Sequence, residues 1–459
     1  MTDAYSRYEI QIETTPDIVK VPSRFRVKTR RHKLLGLIFK ELFEHKGNMP
    51  VILSRPCMYG VFGRPVGGMA PIHDKCVGCL RCTVQYPDVV QIVRNPARQS
   101  MGDSYLTPDN VDTILYEAHA GHTPVRGAGY RGEFGGPGWD GMWLDMSEIV
   151  RPTRDGIHGR EFVSTEVDLG ARPMFLTFDE EGKPTGDVPR MWGAMVPFVF
   201  EPAPNRTANR IFGEAARQMH TYATVPVREA RENMAGGHVI PLLADGDDAA
   251  LLDSLPEEPR FVAIEGSDPE RIAAVNAAKP EALVIARIPA DADPVPVAES
   301  GVAVIHLLAD FHGEVDGRFM LDLIREAHGR LVEAGIRERV TLIGSGGMVM
   351  AEHMPKAIVC GLDAVGIDTA AWIALQASFE GEVRDRANPP VKFPSELGTE
   401  WGIKRMRNLV STWRDQLLEI LGAMGMREVR RLRGEVGRCM FQDELEEEAF
   451  GDLEGYVAR

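Results

Sequence analysis

Several features that this 459-residue sequence lacks exclude whole classes of protein. No stretch approaches the roughly 20 consecutive apolar residues that a membrane-spanning helix needs. The opening MTDAYSRYEIQIETT has no apolar core of the kind found in secretory signals. Lys and Arg number 52 against 67 Asp and Glu, the reverse of the balance in a dedicated nucleic-acid-binding protein. We therefore expect a cytoplasmic protein that has no transmembrane segment and binds no nucleic acid.

Cysteine is also scarce, with six residues, too few for a disulfide scaffold of this size. Three of them, Cys76, Cys79 and Cys82, lie in the run CVGCLRC, where two residues separate neighbouring thiols. This spacing lets one short loop wrap a face of a cubic iron–sulfur cluster. The pattern resembles the bacterial-type ferredoxin motif, except that Tyr86 stands before Pro87, where that motif has its fourth cysteine.

A fourth cluster ligand therefore has to come from elsewhere in the chain. Cys57 is the best candidate, because Cys360 lies in an apolar run typical of a buried structural thiol and Cys439 lies far downstream in a charged helical tail. The sequence predicts a [4Fe–4S] cluster held by Cys57 and the three thiolates of CVGCLRC. The alternatives are zinc, which also accepts four thiolates, a [3Fe–4S] cluster or an empty site.

From residue 190 onward, short apolar runs alternate with helical stretches. We count eight strand-like runs, at residues 193–200, 222–227, 238–243, 260–266, 282–288, 302–308, 339–344 and 363–368. Near-continuous apolar strands joined by helices predict a parallel sheet covered on both faces. Eight such units favour a closed barrel over an open sheet. The predicted fold class is α/β, a TIM-like (β/α)8 barrel preceded by a small ferredoxin-like iron–sulfur segment and followed by a helical tail.

Domain boundaries are predicted from changes in composition along the chain. The segments are a basic helical arm (1–50), the iron–sulfur cluster with a Gly-rich loop region (51–150), a linking segment of mixed charge (151–190), the barrel (191–380) and a helical C-terminal tail (381–459). The arm places apolar residues at helical spacing beside a basic run. Such a helix packs against its own domain, or docks on an acidic partner or a membrane surface.

The ends of the last two strand-like runs predict a phosphate site. Ligands of these barrels bind at the C-terminal ends of the strands, and the loops after the seventh and eighth strands commonly hold a phosphate. Glycines there let backbone N–H groups approach an anion, and a helix N-terminus adds positive potential. Tight strand–helix turns also use glycine without binding any ligand. The predicted ligand-binding residues in these loops are Ser345, Gly346, Gly347, Gly366, Asp368 and Thr369.

Three further residues are candidates for catalysis. Arg287 ends the fifth run, where its side chain can point into the barrel mouth and stabilise the negative charge of a reduced flavin. The alternative for Arg287 is a salt bridge at the rim. Asp310 and His312 follow the sixth run and suit proton transfer, because histidine titrates near neutral pH. His306 lies inside an apolar strand and is expected to be a core residue.

Residues from about 190 to 435 resemble the FMN-binding barrel of the glutamate synthase large subunit. The resemblance lies in GAM after the first strand, in IGSGGMVMAEHMPKAIVCGLDAVGIDTAAWIAL and in the tail QLLEILGAMGMREVRRLRGE. The ferredoxin-type segment ahead of the barrel is similar to that of short, archaeal-type relatives. The resemblance implies FMN as a cofactor, with its phosphate bound by Gly346, Gly347 and Thr369. It also implies that Ala194 and Met195 line the isoalloxazine ring.

The sequence departs from this family in several places. Arg287 stands where the family has a lysine, and the cysteines that hold a [3Fe–4S] cluster after the family's barrel are missing from ALQASFEGEVRDR. The glutaminase domain with its N-terminal cysteine nucleophile is not recognisable, so the chain is not expected to release ammonia from glutamine. The Gly-rich loop after the sixth strand is replaced by ADFHGE, and the one after the second strand is unrecognisable. These changes affect the substrate side more than the phosphate side.

Together, the cluster motif and the resemblance imply an iron–sulfur flavoprotein oxidoreductase. It would pass electrons between the cluster and FMN and act on a small-molecule substrate, with reductive amination of a 2-oxo acid as one candidate reaction. Electrons would come from a ferredoxin or a reductase subunit within a multi-subunit complex. The main alternative is a non-catalytic electron-transfer or scaffold subunit of a larger redox complex, with an eroded, flavin-free barrel. A zinc-stabilised barrel enzyme without redox chemistry is the third possibility.

Overall fold

The chain divides into two compact units. Residues 19–103 form the smaller unit, and residues 1–18 together with 104–459 form the larger one. No helix in the part of the chain that the structure describes is both long and apolar enough to cross a lipid bilayer. The structure is a computed structural model, and it describes residues 10–53, 57–62, 70–98, 100–123, 138–146, 163–172, 175–186, 188–232, 235–453 and 455.

The smaller unit is built on a two-stranded antiparallel sheet, Phe25–Thr29 with Val90–Arg94. Its helices are α1 (Arg31–Glu44), α2 (Met49–Leu53) and α3 (Arg81–Gln85), with short 3-10 turns at His73–Lys75 and Pro96–Arg98. The basic arm and the cluster segment were predicted as separate segments divided at residue 50. Because the two strands pair, both lie in one unit. The small core of this unit consists of Val27, Leu34, Val61, Phe62, Cys82 and Val90.

The larger unit contains a closed barrel of eight strands. In chain order they are β1 (Phe198–Phe200), β2 (Tyr222–Pro226), β3 (Val239–Leu243), β4 (Phe261–Glu265), β5 (Leu283–Pro289), β6 (Val304–Leu308), β7 (Thr341–Ser345) and β8 (Ala364–Ile367). All neighbours are parallel, and β8 closes the barrel by pairing with β1. Each strand overlaps one of the eight predicted runs. The predicted α/β class and (β/α)8 barrel are therefore confirmed.

Helical segments follow the barrel strands. Helix α4 (Pro108–Ala120) precedes the barrel, and the next seven are α5 (Arg206–Gln218), α6 (Val227–Ala230), α7 (Pro269–Ala278), α8 (Val295–Glu299), α9 (Met320–Glu333), α10 (His353–Cys360) and α11 (Thr369–Ala374). A 3-10 helix, Ala249–Ser254, takes the place of a helix after β3. The short segments after β2, β3 and β5 explain how eight strand–helix units fit into residues 191–380.

Two helices outside the barrel tie distant parts of the larger unit together. Helix α4 lies within the 51–150 segment, for which the sequence predicts a Gly-rich loop region and no helix at this point, and the Thr107 side chain caps its N-terminus by accepting from the backbone of Asn110. Helix α12 (Thr399–Ala423) packs against α4 and α5. The Asn408 amide on α12 donates to the carbonyl oxygens of Ala118 and Glu13. The larger unit therefore includes the chain from residue 10 to 18 as well as the barrel.

A hairpin lies against the N-terminal end of the barrel. Its strands are Val167–Gly170 and Met191–Ala194, and Gly170 exchanges hydrogen bonds of 2.8 and 3.0 Å with the hydroxyl of Thr341, the first residue of β7. The charged segment before this hairpin lies mostly outside the described residues. Helix α13 spans Gln442–Phe450. Four further two-stranded ladders in the described part of the chain pair Met142–Leu144 with Cys439–Phe441, Thr177–Phe178 with Pro184–Thr185, Glu314–Val315 with Arg318–Phe319, and Ser378–Phe379 with Val391–Lys392.

Candidate functional site

A buried ion-pair network lies at the C-terminal ends of the barrel strands. Glu201 follows β1, Glu265 ends β4 and Arg287 lies in β5. The two terminal nitrogens of Arg287 donate to both carboxylate oxygens of Glu201 at 3.2 and 2.8 Å, and Nε donates to Glu265 at 3.1 Å. Glu201 is 1% and Arg287 is 4% exposed. The barrel mouth therefore holds a forked, charge-assisted pair that is shielded from water.

The charges in this network compensate one another. Burial alone would raise the pKa of the Glu201 carboxyl, but the neighbouring Arg287 outweighs burial and lowers that pKa to about 2. Burial opposes the charge of Arg287, whereas the carboxylates of Glu201 and Glu265 raise its pKa. Arg287 thus reaches the mouth, as predicted, but its fork already binds two carboxylates. The arrangement matches the salt-bridge alternative and leaves no uncompensated positive charge on Arg287 for a flavin.

His306 and Ser345 meet beside the ion pair. Nε2 of His306, in β6, lies 2.6 Å from the hydroxyl of Ser345 at the end of β7. Nδ1 of His306 is 3.9 Å from a Glu201 oxygen, too far for a hydrogen bond. Burial lowers the pKa of His306 to about 3, so the imidazole is neutral at physiological pH. A Cβ on Gly366 would lie 1.8 Å from the Ser345 hydroxyl, so any larger residue at that position would displace Ser345 from His306.

The two glycine loops predicted to bind phosphate come together at the ends of β7 and β8, but the chain's own groups hydrogen-bond to them. The Gly347 amide donates to the Phe311 carbonyl at 3.2 Å, and the Tyr105 hydroxyl donates to the Gly347 carbonyl at 2.7 Å. The Thr369 amide and hydroxyl both donate to the Asp368 carboxylate, at 2.6 and 3.2 Å. These loops are therefore closed by protein groups.

The same packing explains why glycine occupies the β7 loop. A Cβ on Gly347 would lie 2.9 Å from the Tyr105 hydroxyl, and one on Gly346 would lie 2.5 Å from the Asp310 carbonyl oxygen. Both glycines thus admit other parts of the chain to close approach. Gly346 and Gly347 are suited to an FMN phosphate, since the backbone amides of glycines can approach an anion. A phosphate would bind the Gly347 amide only after the hydrogen bond of this amide to the Phe311 carbonyl breaks.

Asp310 and His312 make contacts that shape the loop after β6. One Asp310 oxygen accepts from the amides of His312 and Glu314 at 2.9 and 2.8 Å, and the other lies 3.2 Å from the Arg384 guanidinium. His312 is 2% exposed, and its ring stacks on Tyr105 with 5.3 Å between centroids. These contacts hold the loop in place, and a role of Asp310 and His312 in proton transfer stays a prediction.

Ala194 and Met195 lie at the opposite end of the barrel from the mouth. The first barrel strand begins only at Phe198, and Ala194 pairs with Val167 in the hairpin at the N-terminal end. The expectation that these two residues line an isoalloxazine ring at the mouth is therefore wrong. GAM precedes the first strand instead of following it, and the residue that follows the strand is Glu201.

Sequence reasoning missed four residues of the mouth. Glu201 and Glu265 were detectable, because each is an acid placed directly at the end of an apolar run, as Arg287 is. Arg386, which donates to Asp368 at 2.9 Å, follows the barrel in a breaker-rich stretch. Tyr105 carries no local signal, since it precedes the barrel by about 90 residues in the chain.

The four predicted cluster cysteines converge in the smaller unit. Cys57, Cys76 and Cys82 pack in one apolar cluster. Burial raises the pKa of the Cys76 thiol, and Cys82, Cys57 and Cys79 raise it further by charge repulsion. Burial also raises the pKa of Cys82, as do Cys57 and Cys79. Cys76 and Cys82 thus disfavour the thiolate form, and the four thiols together form a donor set that a cationic metal centre would stabilise.

Local backbone geometry supports this donor set. Gly78 and Leu80, on either side of Cys79, both have left-handed backbones, with φ of +71° and +56°. The Gly78 amide forms a hydrogen bond with the Cys76 sulfur. A Cβ on Gly78 would lie 2.4 Å from the Phe25 ring, so the loop needs glycine there. The four thiols fit a [4Fe–4S] cluster, and they fit zinc equally well.

The fold and the two sites define a class: a (β/α)8 barrel with a buried ion-pair network at the C-terminal ends of its strands, together with a small unit in which four thiols converge. Residues 317–380, which include both glycine loops, match the family model of the conserved region in glutamate synthase. The archaeal-type glutamate synthase [NADPH] of Dehalococcoides mccartyi is 24% identical over 434 residues, covering 79% of this chain and 86% of that protein. The predicted resemblance to the glutamate synthase barrel is confirmed.

Two further proteins extend the comparison. The archaeal glutamate synthase [NADPH] of Methanocaldococcus jannaschii is 35% identical over 111 residues, covering 23% of this chain and 22% of that protein. The flavin-binding domain of baker's yeast flavocytochrome b2 aligns with a TM-score of 0.43 and 11% identity, covering 79% of this chain and 84% of that one.

Buried histidines are expected to make the fold acid-sensitive. Burial lowers the pKa of His306 and of His353 to about 3, and that of His328 to about 4. An unfolded histidine takes up a proton near pH 6.5, whereas these take it up only at the lower values. Each therefore lowers the unfolding free energy by about 1.4 kcal/mol per pH unit as the pH falls between its two pKa values.

Urea unfolding followed by circular dichroism at pH 7, 6, 5 and 4 measures this dependence. Glu201 adds to the loss below pH 4.5, because its folded pKa is depressed and its contribution disappears as the pH falls towards 2. An unfolding free energy that stays constant from pH 7 to 4 would show that these histidines are protonated in the fold.

Proposed function

We propose that this protein is an iron–sulfur oxidoreductase of the glutamate synthase kind. The observation that carries the proposal is the convergence of four thiols in a unit that accompanies a glutamate-synthase-like barrel. Cys57, Cys76, Cys79 and Cys82 would hold a [4Fe–4S] cluster. The relative from Dehalococcoides mccartyi, named as a glutamate synthase [NADPH], matches 79% of the chain and supports the oxidoreductase assignment.

FMN at the barrel mouth is the second part of the proposal. When bound, FMN links one-electron transfer to a two-electron reaction of a small-molecule substrate. Gly346, Gly347 and Thr369 would hold its phosphate once Tyr105 and Phe311 have moved away. Arg287, held by its two carboxylates, would keep a fixed position at the mouth. Reductive amination of a 2-oxo acid is the candidate reaction, with electrons from a ferredoxin or a reductase subunit in a multi-subunit complex in the cytoplasm.

The closed glycine loops favour a second candidate function. If the chain's own groups remain on these loops, the barrel takes no flavin and the protein is an electron-transfer subunit of a larger redox complex. The engaged amides of Gly347 and Thr369 and the compensated charge of Arg287 support this alternative. The two candidates share the cluster and differ in the flavin.

Anaerobic purification with iron, sulfide, zinc and released flavin measured together separates the candidates. The oxidoreductase is expected to contain about four iron atoms and one FMN per chain, with an iron–sulfur absorption band beneath flavin peaks. Iron and sulfide without flavin would support the electron-transfer subunit. Zinc alone would contradict both.

Tyr105→Phe is expected to strengthen FMN binding. The substitution removes the hydroxyl that donates to the Gly347 carbonyl but keeps the ring, so the loop opens at a lower cost. One hydrogen bond contributes about 1 kcal/mol, and its loss is expected to lower the dissociation constant of FMN about fivefold. Flavin fluorescence titration of flavin-depleted protein measures the constant. Tyr116→Phe on α4, at a side chain that is 37% exposed, is the control, and equal affinity in both variants would contradict the closing role of Tyr105.

A further inference from the structure

The two units of this chain differ sharply in charge. Residues 19–103 contain fifteen Lys and Arg against five Asp and Glu, a formal net charge of +10, whereas the whole chain carries −15. Most of the excess lies between Lys20 and Lys46, where nine basic residues face two acidic ones. A strongly basic unit within an acidic protein attracts an acidic partner and speeds its approach.

Exposed apolar side chains flank all four cysteines of the basic unit. We call these five residues the cluster face. Each adjoins a predicted ligand in the sequence: two follow Cys57, one follows Cys76, one follows Cys79 and one lies two residues after Cys82. They are Met58, Tyr59, Val77, Leu80 and Val84, which are 65%, 47%, 46%, 49% and 77% exposed. Because the cysteines converge, the backbone brings these five residues close to one another.

The cluster face also presents positive charge and a ligand to solvent. Lys75 and Arg81 are exposed next to Cys76 and Cys82, and Cys79 itself is exposed. Arg81 approaches the sulfur of Met58 at 3.8 Å. An apolar centre with a polar rim is the usual form of a protein–protein interface, and here the rim is cationic. Its position brings whatever docks there next to the thiols.

We propose that the cluster face binds an acidic one-electron carrier protein. The proposal rests on the proposed function, because it needs the cluster that the four thiols would hold. One electron passes from the reduced carrier to the oxidised cluster, so the carrier is oxidised and the cluster reduced, and no bond or proton moves. Short-lived redox complexes have small interfaces. The five apolar side chains of the cluster face form a surface of this kind, and the positive charge of the smaller unit would attract the carrier over a longer distance.

The apolar content of the face distinguishes this partner from two others. A nucleic acid is bound mainly through its phosphates. Five exposed apolar residues around a thiol site cannot bind phosphates. A second copy of this chain offers negative charge, but it would cover the ligands and keep a carrier away. Both remain outcomes of the test.

Equilibrium binding to a plant-type [2Fe–2S] ferredoxin, an acidic carrier, tests the proposal. A gallium-substituted, redox-inert form of this ferredoxin measures binding apart from electron transfer, by calorimetry with the cluster-loaded protein. We expect binding to weaken about tenfold between low and moderate salt. Val84→Asp and Lys75→Glu are each expected to weaken it about tenfold more, because they place negative charge on the face.

Matched controls carry the same changes in the larger unit. Val188→Asp replaces a 50% exposed valine, and Lys183→Glu reverses a 72% exposed lysine. Both are expected to bind the ferredoxin as the unmodified protein does. Iron content and the absorption spectrum are measured for every variant, so that a loss of binding counts only where the cluster is retained.

The outcomes separate the two proposals. A protein without iron contradicts the proposed function. A loaded protein whose variants on the face and in the larger unit bind the ferredoxin alike overturns the docking surface alone. A salt-sensitive dimer by light scattering that Val84→Asp disrupts, or binding of a single-stranded 20-nucleotide DNA in place of the ferredoxin, also overturns it and identifies the true occupant.

Discussion

Glu201→Ala lowers the free energy of unfolding by about 3–5 kcal/mol, the loss expected when one partner of a buried ion pair is removed. Arg287 is 4% exposed and donates two hydrogen bonds to Glu201 and one to Glu265. Its charge would remain in the barrel with only the single contact from Nε to Glu265. Urea denaturation at pH 7, followed by circular dichroism, measures the change.

Glu265→Ala is the matched control, because the same arginine loses a different partner. The Glu265 side chain is 29% exposed, so solvent screens its interaction, and we expect a loss of about 1 kcal/mol or less. The double variant Glu201→Leu with Arg287→Met removes both charges and is expected to recover most of the stability. Equal losses for Glu201→Ala and Glu265→Ala would mean that the fork contributes no more than the single bond.

Cys79→Ser is expected to remove most of the bound iron. A serine hydroxyl is a poor substitute for a thiolate, and the loop between Cys76 and Cys82 offers no other thiol. Cys57→Ser is expected to have the same effect, which tests the remote fourth ligand. Iron and sulfide per chain after anaerobic purification give the result.

Cys360→Ser provides the comparison for cluster loading. Cys360 is fully buried on α10 in the larger unit, and its sulfur lies 3.8 Å from that of Met142. Burial raises the pKa of this thiol strongly, which suits a structural role. The variant is expected to keep nearly all of its iron. Iron loss as large as in Cys79→Ser would show that the ligand assignment is wrong.

The barrel could be predicted because its information is local. Each of the eight strands is a short apolar run bounded by turn residues, and helices such as α7 begin with an Asp–Pro pair whose carboxylate caps the first turn. Counting the strands then identified the glycine-rich loops as those that follow the seventh and eighth strands. The candidate cluster cysteines could also be identified from the sequence, since three of the four lie within seven residues.

The contents of the mouth depend on contacts between distant segments, which the sequence does not display. Arg287 was placed correctly at the end of β5, but its partner Glu201 is 86 residues away. Tyr105 reaches Gly347 across 242 residues. The misplacement of Ala194 and Met195 arose because GAM and the strand VPFVF form one apolar run, and no local property marks where the barrel strand begins.

The contacts of α12 bear on the order in which the chain folds. Glu13 and Asn408 are hydrogen-bonded partners 395 residues apart, so the larger unit begins before the smaller one and is completed long after it. During synthesis the four cysteines leave the ribosome well before α12 exists to receive residues 10–18. Since N-terminal domains generally fold first as units, the smaller unit can fold and bring its thiols together while the barrel is still being translated.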